Sequence, residues 1–286
     1  GCQMALSIWA QTLPFALLGL LIGSFLNVVI HRLPKMMEAQ WRAECRQLTD
    51  PHAEHPATER YNLVVPRSAC PKCGHQIRWY ENIPVVSYLF LAGKCSNCKT
   101  PISVRYPLVE LATGILFGYC GMRWGWDATA VVWCIFCAAL VALTFIDWDT
   151  TLLPDDITLP LVWLGLIVAA LGWNEGVKLP NALWGAVAGY LSLWSVYWLF
   201  KLVTGKEGMG YGDFKLFAAL GAWFGWQALI PMILLASVIG AIVGIILKLN
   251  SRLREGGYVP FGPFLAGAGF VSLVFGSASI LRAVGL

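Results

Sequence analysis

Residues Leu216–Leu247 read LFAALGAWFGWQALIPMILLASVIGAIVGIIL, a run of 32 positions without one charged side chain. As a single α-helix the run would extend about 48 Å, whereas roughly 20 residues cross a hydrocarbon core about 30 Å thick. It is interrupted at Trp226–Pro231, and Pro231 removes a helix donor. The stretch therefore predicts two spans joined by a tight turn. Outward from it lie further charge-free apolar runs at Leu13–Ile30, Leu111–Met122, Ala128–Ile146, Ile157–Trp173, Asn181–Phe200 and Pro260–Leu281. Leu111–Met122 is short for a span and is expected to begin near Arg105–Pro107. The total is about eight, which predicts an all-α polytopic membrane protein.

Composition agrees. Of 286 residues, 58% are hydrophobic and 13% charged, and the mean hydropathy is +0.66. A soluble domain carries about 25% charged residues, so a soluble enzyme, a disordered chain and a nucleic-acid-binding arm are all excluded. The formal net charge of +4 is informative only once the charges are placed. Eleven basic residues fall between the first two spans, from Arg32 to Arg105. Lys201, Lys206 and Lys215 flank the loop after the fifth span, and Lys248, Arg252 and Arg254 follow the seventh. With eight spans these seventeen share one side, against Arg123, Lys178 and Arg282 on the other. The excess of basic residues predicts that the long loop is cytoplasmic and both termini periplasmic. The first apolar run has its basic residues after it, at His31–Lys35, rather than before it, which favours a retained span over a cleaved signal peptide.

Three regions follow: a first transmembrane helix at 1–30, a cytoplasmic domain at 31–106, and a membrane-embedded core of seven spans at 107–286. Arg42–Arg60 is polar, with Pro51 and Pro56, and reads as a flexible surface segment. Beyond it stand Cys70-Pro71-Lys72-Cys73 and, after 21 residues, Cys95-Ser96-Asn97-Cys98. Each C-x-x-C lets two thiolates face one ion from a tight turn, and two such turns complete a tetrahedral set. Disulfides are rare in the cytoplasm, so the expectation is one structural Zn2+ per chain. Four thiolates leave no open coordination position, so such a zinc holds the loop together and does no chemistry. The neighbouring aromatics Trp79, Tyr80, Tyr88 and Phe90 form no stacking array, and nucleic acid is not an expected partner. Cys134 and Cys137 lie within an apolar span and read as small buried residues. Cys2, Cys45 and Cys120 are lone, and His31, His52, His55 and His75 read as surface or capping residues.

Carboxylates are scarce in the apolar part, and ionisable groups at membrane depth default to functional candidates. These are Glu110, Asp213, and the cluster Asp147, Asp149, Asp155 and Asp156. Asp147 closes the third span. Asp213 opens the sixth within Gly208-Met209-Gly210-Tyr211-Gly212-Asp213, and topology puts both on the same membrane face. Two carboxyls sharing one proton can split an amide, one as base and the other as acid. Neither an HExxH motif nor a G-x-S-x-G motif is present to supply another hydrolytic centre. The helix macrodipole favours a carboxylate at Asp213 and a neutral acid at Asp147, which predicts that Asp147 carries the shared proton. Asp155 and Asp156 read as N-caps, Glu110 as an internal polar contact, and Asp149 as a loop or supporting residue.

Together, Gly19-x-x-x-Gly23-Ser24-Phe25-Leu26-Asn27-Val28-Val29-x-His31-Arg32-Leu33-Pro34, the two C-x-x-C pairs, Tyr106-Pro107-x-x-Glu110, Ile146-Asp147 through Leu153-Pro154-Asp155, and Gly210-Tyr211-Gly212-Asp213 resemble the type IV prepilin peptidases. These leader peptidases and N-methyltransferases of type IV pilus and type II secretion systems belong to the GxGD aspartyl proteases. The resemblance covers essentially the whole chain and implies that Asp147 and Asp213 are catalytic. It implies prepilin and pseudopilin substrates with a short basic leader ending in Gly, followed by an apolar helix that usually starts with Phe. Cleavage would occur at the cytoplasmic face of the bacterial inner membrane. The new N-terminus would then be methylated from S-adenosylmethionine. No Rossmann G-x-G-x-x-G is present for that donor, and Gly93 and Lys94 beside Cys95 are the candidates to bind it. The rival readings are a proton- or ion-coupled transporter, a non-catalytic assembly scaffold, and a peptidase lacking methyl transfer. The oligomeric state is not legible.

Overall fold

The computed structural model describes residues 2–49, 61–250 and 259–284. Expectations for Arg252, Arg254 and residues 50–60, His52 and His55 among them, lie outside the described residues. Ten α-helices are described: α1 (Cys2–Thr49), α2 (Val86–Phe90), α3 (Arg105–Trp124), α4 (Ala128–Thr150), α5 (Asp155–Ala170), α6 (Leu179–Thr204), α7 (Tyr211–Phe224), α8 (Leu229–Leu249), α9 (Gly262–Phe275) and α10 (Ser277–Val284). The described residues contain no β-strand, only the isolated bridges Ala69–Gln76 and Lys94–Pro101. The chain divides into two compact units, Gly1–Ala142 and Leu143–Leu286, with the boundary inside α4.

In the first unit α1 outruns its expected span by nineteen residues, since the helix continues past Ile30 to Thr49. The polar segment is thus helical from Arg42 to Thr49. Glu38 pairs with Arg42, and Gln40 donates to Glu44 at 2.9 Å, the i,i+4 contacts that support an exposed helix. α3 lies against α1 through small residues. A Cβ at Gly19 would fall 2.6 Å from the Thr113 carbonyl oxygen, and one at Gly23 would fall 2.6 Å from Glu110 Cα. This is the small-xxx-small packing by which membrane helices approach closely. Asn27 Nδ2 donates to the Tyr106 carbonyl at 3.1 Å. Arg32 donates to the carbonyls of Asn62 and Pro66 at 2.9 and 2.6 Å. The first motif of the sequence is therefore a set of backbone-holding contacts.

In the second unit α7 is the central helix, buried from Asp213 to Trp223 at all but one position. Gly185 of α6 and Gly221 of α7 meet backbone to backbone, and Gly189 faces the Phe217 carbonyl with room for no more than a hydrogen. Trp223, fully buried, donates Nε1–H to the Leu161 carbonyl of α5 at 2.9 Å. Asn174 donates back to the Trp223 carbonyl at 2.6 Å.

The 32-residue run does form two helices, but the break lies earlier than Pro231. It falls at Gly225, whose φ of +81° ends α7, and a 3-10 turn at Trp226–Ala228 leads into α8. Pro231 sits in the first turn of α8, where a missing N–H costs nothing. The last apolar run is likewise divided, at Gly276, into α9 and α10.

Ile8–Thr49, Ala128–Thr150, Leu179–Thr204 and Trp226–Leu249 are each long and apolar enough to cross a membrane, while Gly262–Phe275 is apolar but shorter. Large side chains such as Trp184, Leu199, Ile230 and Ile245 stay exposed on these helices, which suits contact with lipid rather than water. The fold is that of an all-α polytopic membrane protein.

Candidate active site and metal centre

The two cysteine turns are built alike. Cys70 N–H donates to His75 O and Gly74 N–H to Cys70 O; Cys95 N–H donates to Thr100 O and Lys99 N–H to Cys95 O. Gly74 and Lys99 take the same left-handed conformation, with φ of +71° and +58°. The four sulfurs lie within 4.8 Å of one another, with Cys70–Cys98 at 3.8 Å and Cys73–Cys95 at 3.9 Å. Thiolates about 2.3 Å from one tetrahedral ion stand about 3.8 Å apart, so the cluster fits a metal ion of that kind. Hydrogen bonds from the Thr100 side chain and backbone push the Cys98 thiol down to about 6. Glu81 staples the two turns together. Its carboxylate interacts with the Ser96 side chain, accepts from Arg78 N–H at 2.8 Å and lies 3.2 Å from His75 Nε2. The Ser96, Arg78 and His75 contacts hold its pKa down at about 2.

Beside these turns is a cavity of about 640 Å³. Arg78, Glu81, Ser96 and Asn97 contribute polar lining, and Tyr80 and Phe90 belong to its apolar wall. Gly93 and Lys94 do not line it. Gly93 has φ of +67° and packs on the Tyr88 ring so closely that a Cβ would fall 2.8 Å from its oxygen. Lys94 bridges to Pro101. Glu110 of α3 is buried and accepts from Val85 N–H at 2.7 Å, tying the start of α2 to α3.

In the second unit the ends of α4 and α7 and the start of α9 converge on two carboxyl groups. Asp147 lies one turn before the end of α4 and Asp213 in the first turn of α7. They are 4% and 3% exposed, and close enough to repel each other electrostatically. Asp213 Oδ1 is buried without a hydrogen-bond partner. Asp147 Oδ2 accepts from Gly262 N–H at 3.0 Å. Leu153 packs against both Gly212 and Gly262: a Cβ at Gly212 would lie 2.6 Å from Leu153 Cβ, and one at Gly262 3.3 Å from its Cδ1. Besides the C-terminal end of α4, Asp147 thus faces the N-terminal amide of α9.

The expected N-caps are not formed: Asp155 and Asp156 both lie inside the first turn of α5. Asp155 does not cap α5; Pro154 holds that position, and Asp155 instead receives Lys215 Nζ at 2.6 and 2.7 Å. Asp149 and Asp156 are exposed. Gly262 was missed because the one local sign of it is a glycine between Pro260-Phe261 and Pro263.

Two buried carboxyl groups in this arrangement can carry out hydrolysis. A model of the type IV leader peptidase family matches residues 134–245, and one of the bacterial peptidase A24 N-terminal domain matches residues 17–124. The chain belongs to the type IV leader peptidase family. Among its relatives, each named prepilin leader peptidase/N-methyltransferase, is one from Pseudomonas aeruginosa, 58% identical over 91% of this chain and 89% of the relative. Another, from Aeromonas hydrophila, is 54% identical over 92% and 90%, and one from Burkholderia pseudomallei is 52% identical over 97% and 87%. No solved structure matches the chain. In this leader peptidase family member the family matches cover both the cysteine turns and the buried carboxyl pair.

Proposed function

We infer that this protein removes the leader from type IV prepilins and pseudopilins and then methylates the new N-terminus. The observation that carries the reading is the buried pairing of Asp147 and Asp213 at the ends of α4 and α7, in a chain whose relatives are named for both activities. The pair holds one proton. Its ionised member takes a proton from water as the water oxygen adds to the scissile carbonyl carbon, and its protonated member gives a proton to the carbonyl oxygen. In the second half the diol returns a proton to the pair, the C–N bond breaks, and the leaving nitrogen takes a proton. The pair ends as it began.

The cysteine cluster holds one structural zinc, bound by Cys70, Cys73, Cys95 and Cys98. S-adenosylmethionine supplies the methyl group when bound. The cavity at the cysteine turns suits it better than Gly93 and Lys94, since its volume and its mixed polar and apolar lining fit a nucleoside with a charged tail. Tyr80 and Phe90 would take the base, and Arg78 the carboxylate. The eight spans expected from the sequence cross the bacterial inner membrane, with the long loop and the aspartates at the cytoplasmic face and both ends of the sequence on the periplasmic side. The basic-residue asymmetry supports that orientation.

The test is cleavage of a prepilin by the purified full chain in lipid nanodiscs. Asp147→Asn and Asp213→Asn each lower the rate by on the order of 1,000-fold or more, with zinc content and methylation of a pre-cleaved pilin retained. Wild-type cleavage by either variant removes the pair from the mechanism.

A further inference from the structure

The first turn of α9 has an unusual distribution of donors. Pro263 has no N–H, and Phe264 and Leu265 donate back to the Phe261 carbonyl at 3.1 and 3.2 Å. Gly262 N–H, with no intrahelical acceptor at this position, is directed instead to Asp147 Oδ2 at 3.0 Å, in a buried contact between residues 115 apart in sequence. Space at the same residue is closed. A Cβ at position 262 would fall 2.5 Å from Asp147 Oδ2 and 3.1 Å from Cγ, with Leu153 Cδ1 at 3.3 Å behind them. Real side chains do not tolerate the first of these distances, and the atom that would have to move is the reacting carboxyl itself.

We propose that Gly262 is a positioning residue for the hydrolytic step, acting through Asp147; the proposal rests on the aspartate-pair reading above. Its N–H commits one oxygen of Asp147 to the protein and so fixes the plane of the carboxyl. Its lack of a side chain lets α9 approach near enough to do so. The scaffold that aims the Asp147 carboxyl is thus the amide of a distant helix, and Leu153 packs against both that helix and Gly212, next to Asp213. Since a displacement of about 1 Å at a reacting group costs on the order of 100-fold in rate, the loss of this contact registers in the chemical step rather than in substrate binding.

The experiment uses the full chain in nanodiscs with prepilin as substrate. Gly262→Ala lowers kcat on the order of 100-fold and changes KM less than about 3-fold, while zinc content and methylation of a pre-cleaved pilin stay at wild-type levels. In the Asp147→Asn background the same substitution adds little further loss, because the two changes remove one function. Replacing residue 262 by its α-hydroxy acid, glycolate, deletes the N–H alone and adds no bulk. It lowers kcat as well, and it decides the matter if Gly262→Ala does not fold. Full kcat in the glycolate variant, or full additivity with Asp147→Asn, overturns the proposal while leaving the pair intact. Normal cleavage by Asp147→Asn itself overturns the pair first.

Discussion

The cysteine turns and the aspartate pair both bring together segments that are separate in the chain, yet they are held in different ways. Around the cysteines, the contacts that shape each turn are short in sequence, Cys70 with Gly74 and His75 and Cys95 with Lys99 and Thr100, and the two turns then meet across 28 and 22 residues, Cys70 with Cys98 and Cys73 with Cys95. Around the aspartates the contacts span 60 residues, as in Asp155 with Lys215, or 115, as in Asp147 with Gly262. The first kind of site is specified by local turn chemistry, and its four sulfurs fit a single ion. The second exists only after helices have packed. The two should therefore fail separately, one through loss of metal and the other through loss of alignment.

The strongest way to break this contrast is Cys70→Ser. It should release the metal and abolish methylation, because removing a ligand from a structural zinc site removes much of the folding energy of a small domain. Prepilin cleavage should fall far less than in the aspartate variants. Metal analysis and the two activity assays check it, and equal loss of both activities would show that the regions are one functional unit. A smaller effect is expected of Phe90→Ser, which trims an exposed side chain (87% exposed) from the cavity wall. Equilibrium binding of S-adenosylmethionine should weaken on the order of 10-fold, a loss of about 1.4 kcal/mol in apolar contact, with cleavage unchanged.

The smallest expected effect is that of Glu81→Gln, which sharpens the comparison through pH. The Glu81 carboxylate is held at about 2 in the folded protein, below the ordinary 4.5, so its contribution is present above pH 4.5 and is lost as pH falls from there toward 2. The glutamine variant should lower thermal stability of the cysteine turns at pH 7 and lose part of the wild-type protein's dependence on pH in that acid window. Melting curves across pH 3–7 read both.

The same distinction explains what was legible in the sequence. Charge-free runs reveal helices because a membrane span must be apolar along its whole length, and C-x-x-C spacing reveals a metal site because both ligands of a pair share one turn. Asp147 and Asp213 stood out because charge near an apolar span is rare. The exact break in Leu216–Leu247 did not, since Pro231 attracts notice while Gly225, with its positive φ, makes the turn. The continuation of α1 beyond Ile30 was hidden by polar composition, which an exposed helix shares with a loop. Lys215 and Gly262 were invisible as partners because no periodicity links residues so far apart. Gly93 drew attention by its place beside Cys95, whereas its packing on Tyr88 appears only in three dimensions.

The crossing of α6 and α7 at Gly185 and Gly221 has a mechanical consequence. With main chain against main chain there is no side chain to rotate aside, so α7 cannot piston along its neighbour without atoms colliding. Trp223 bolts the far end of the same helix to α5. Asp213 consequently has a fixed address, and the travel that admits a polypeptide to the pair must be made by some other part of the bundle.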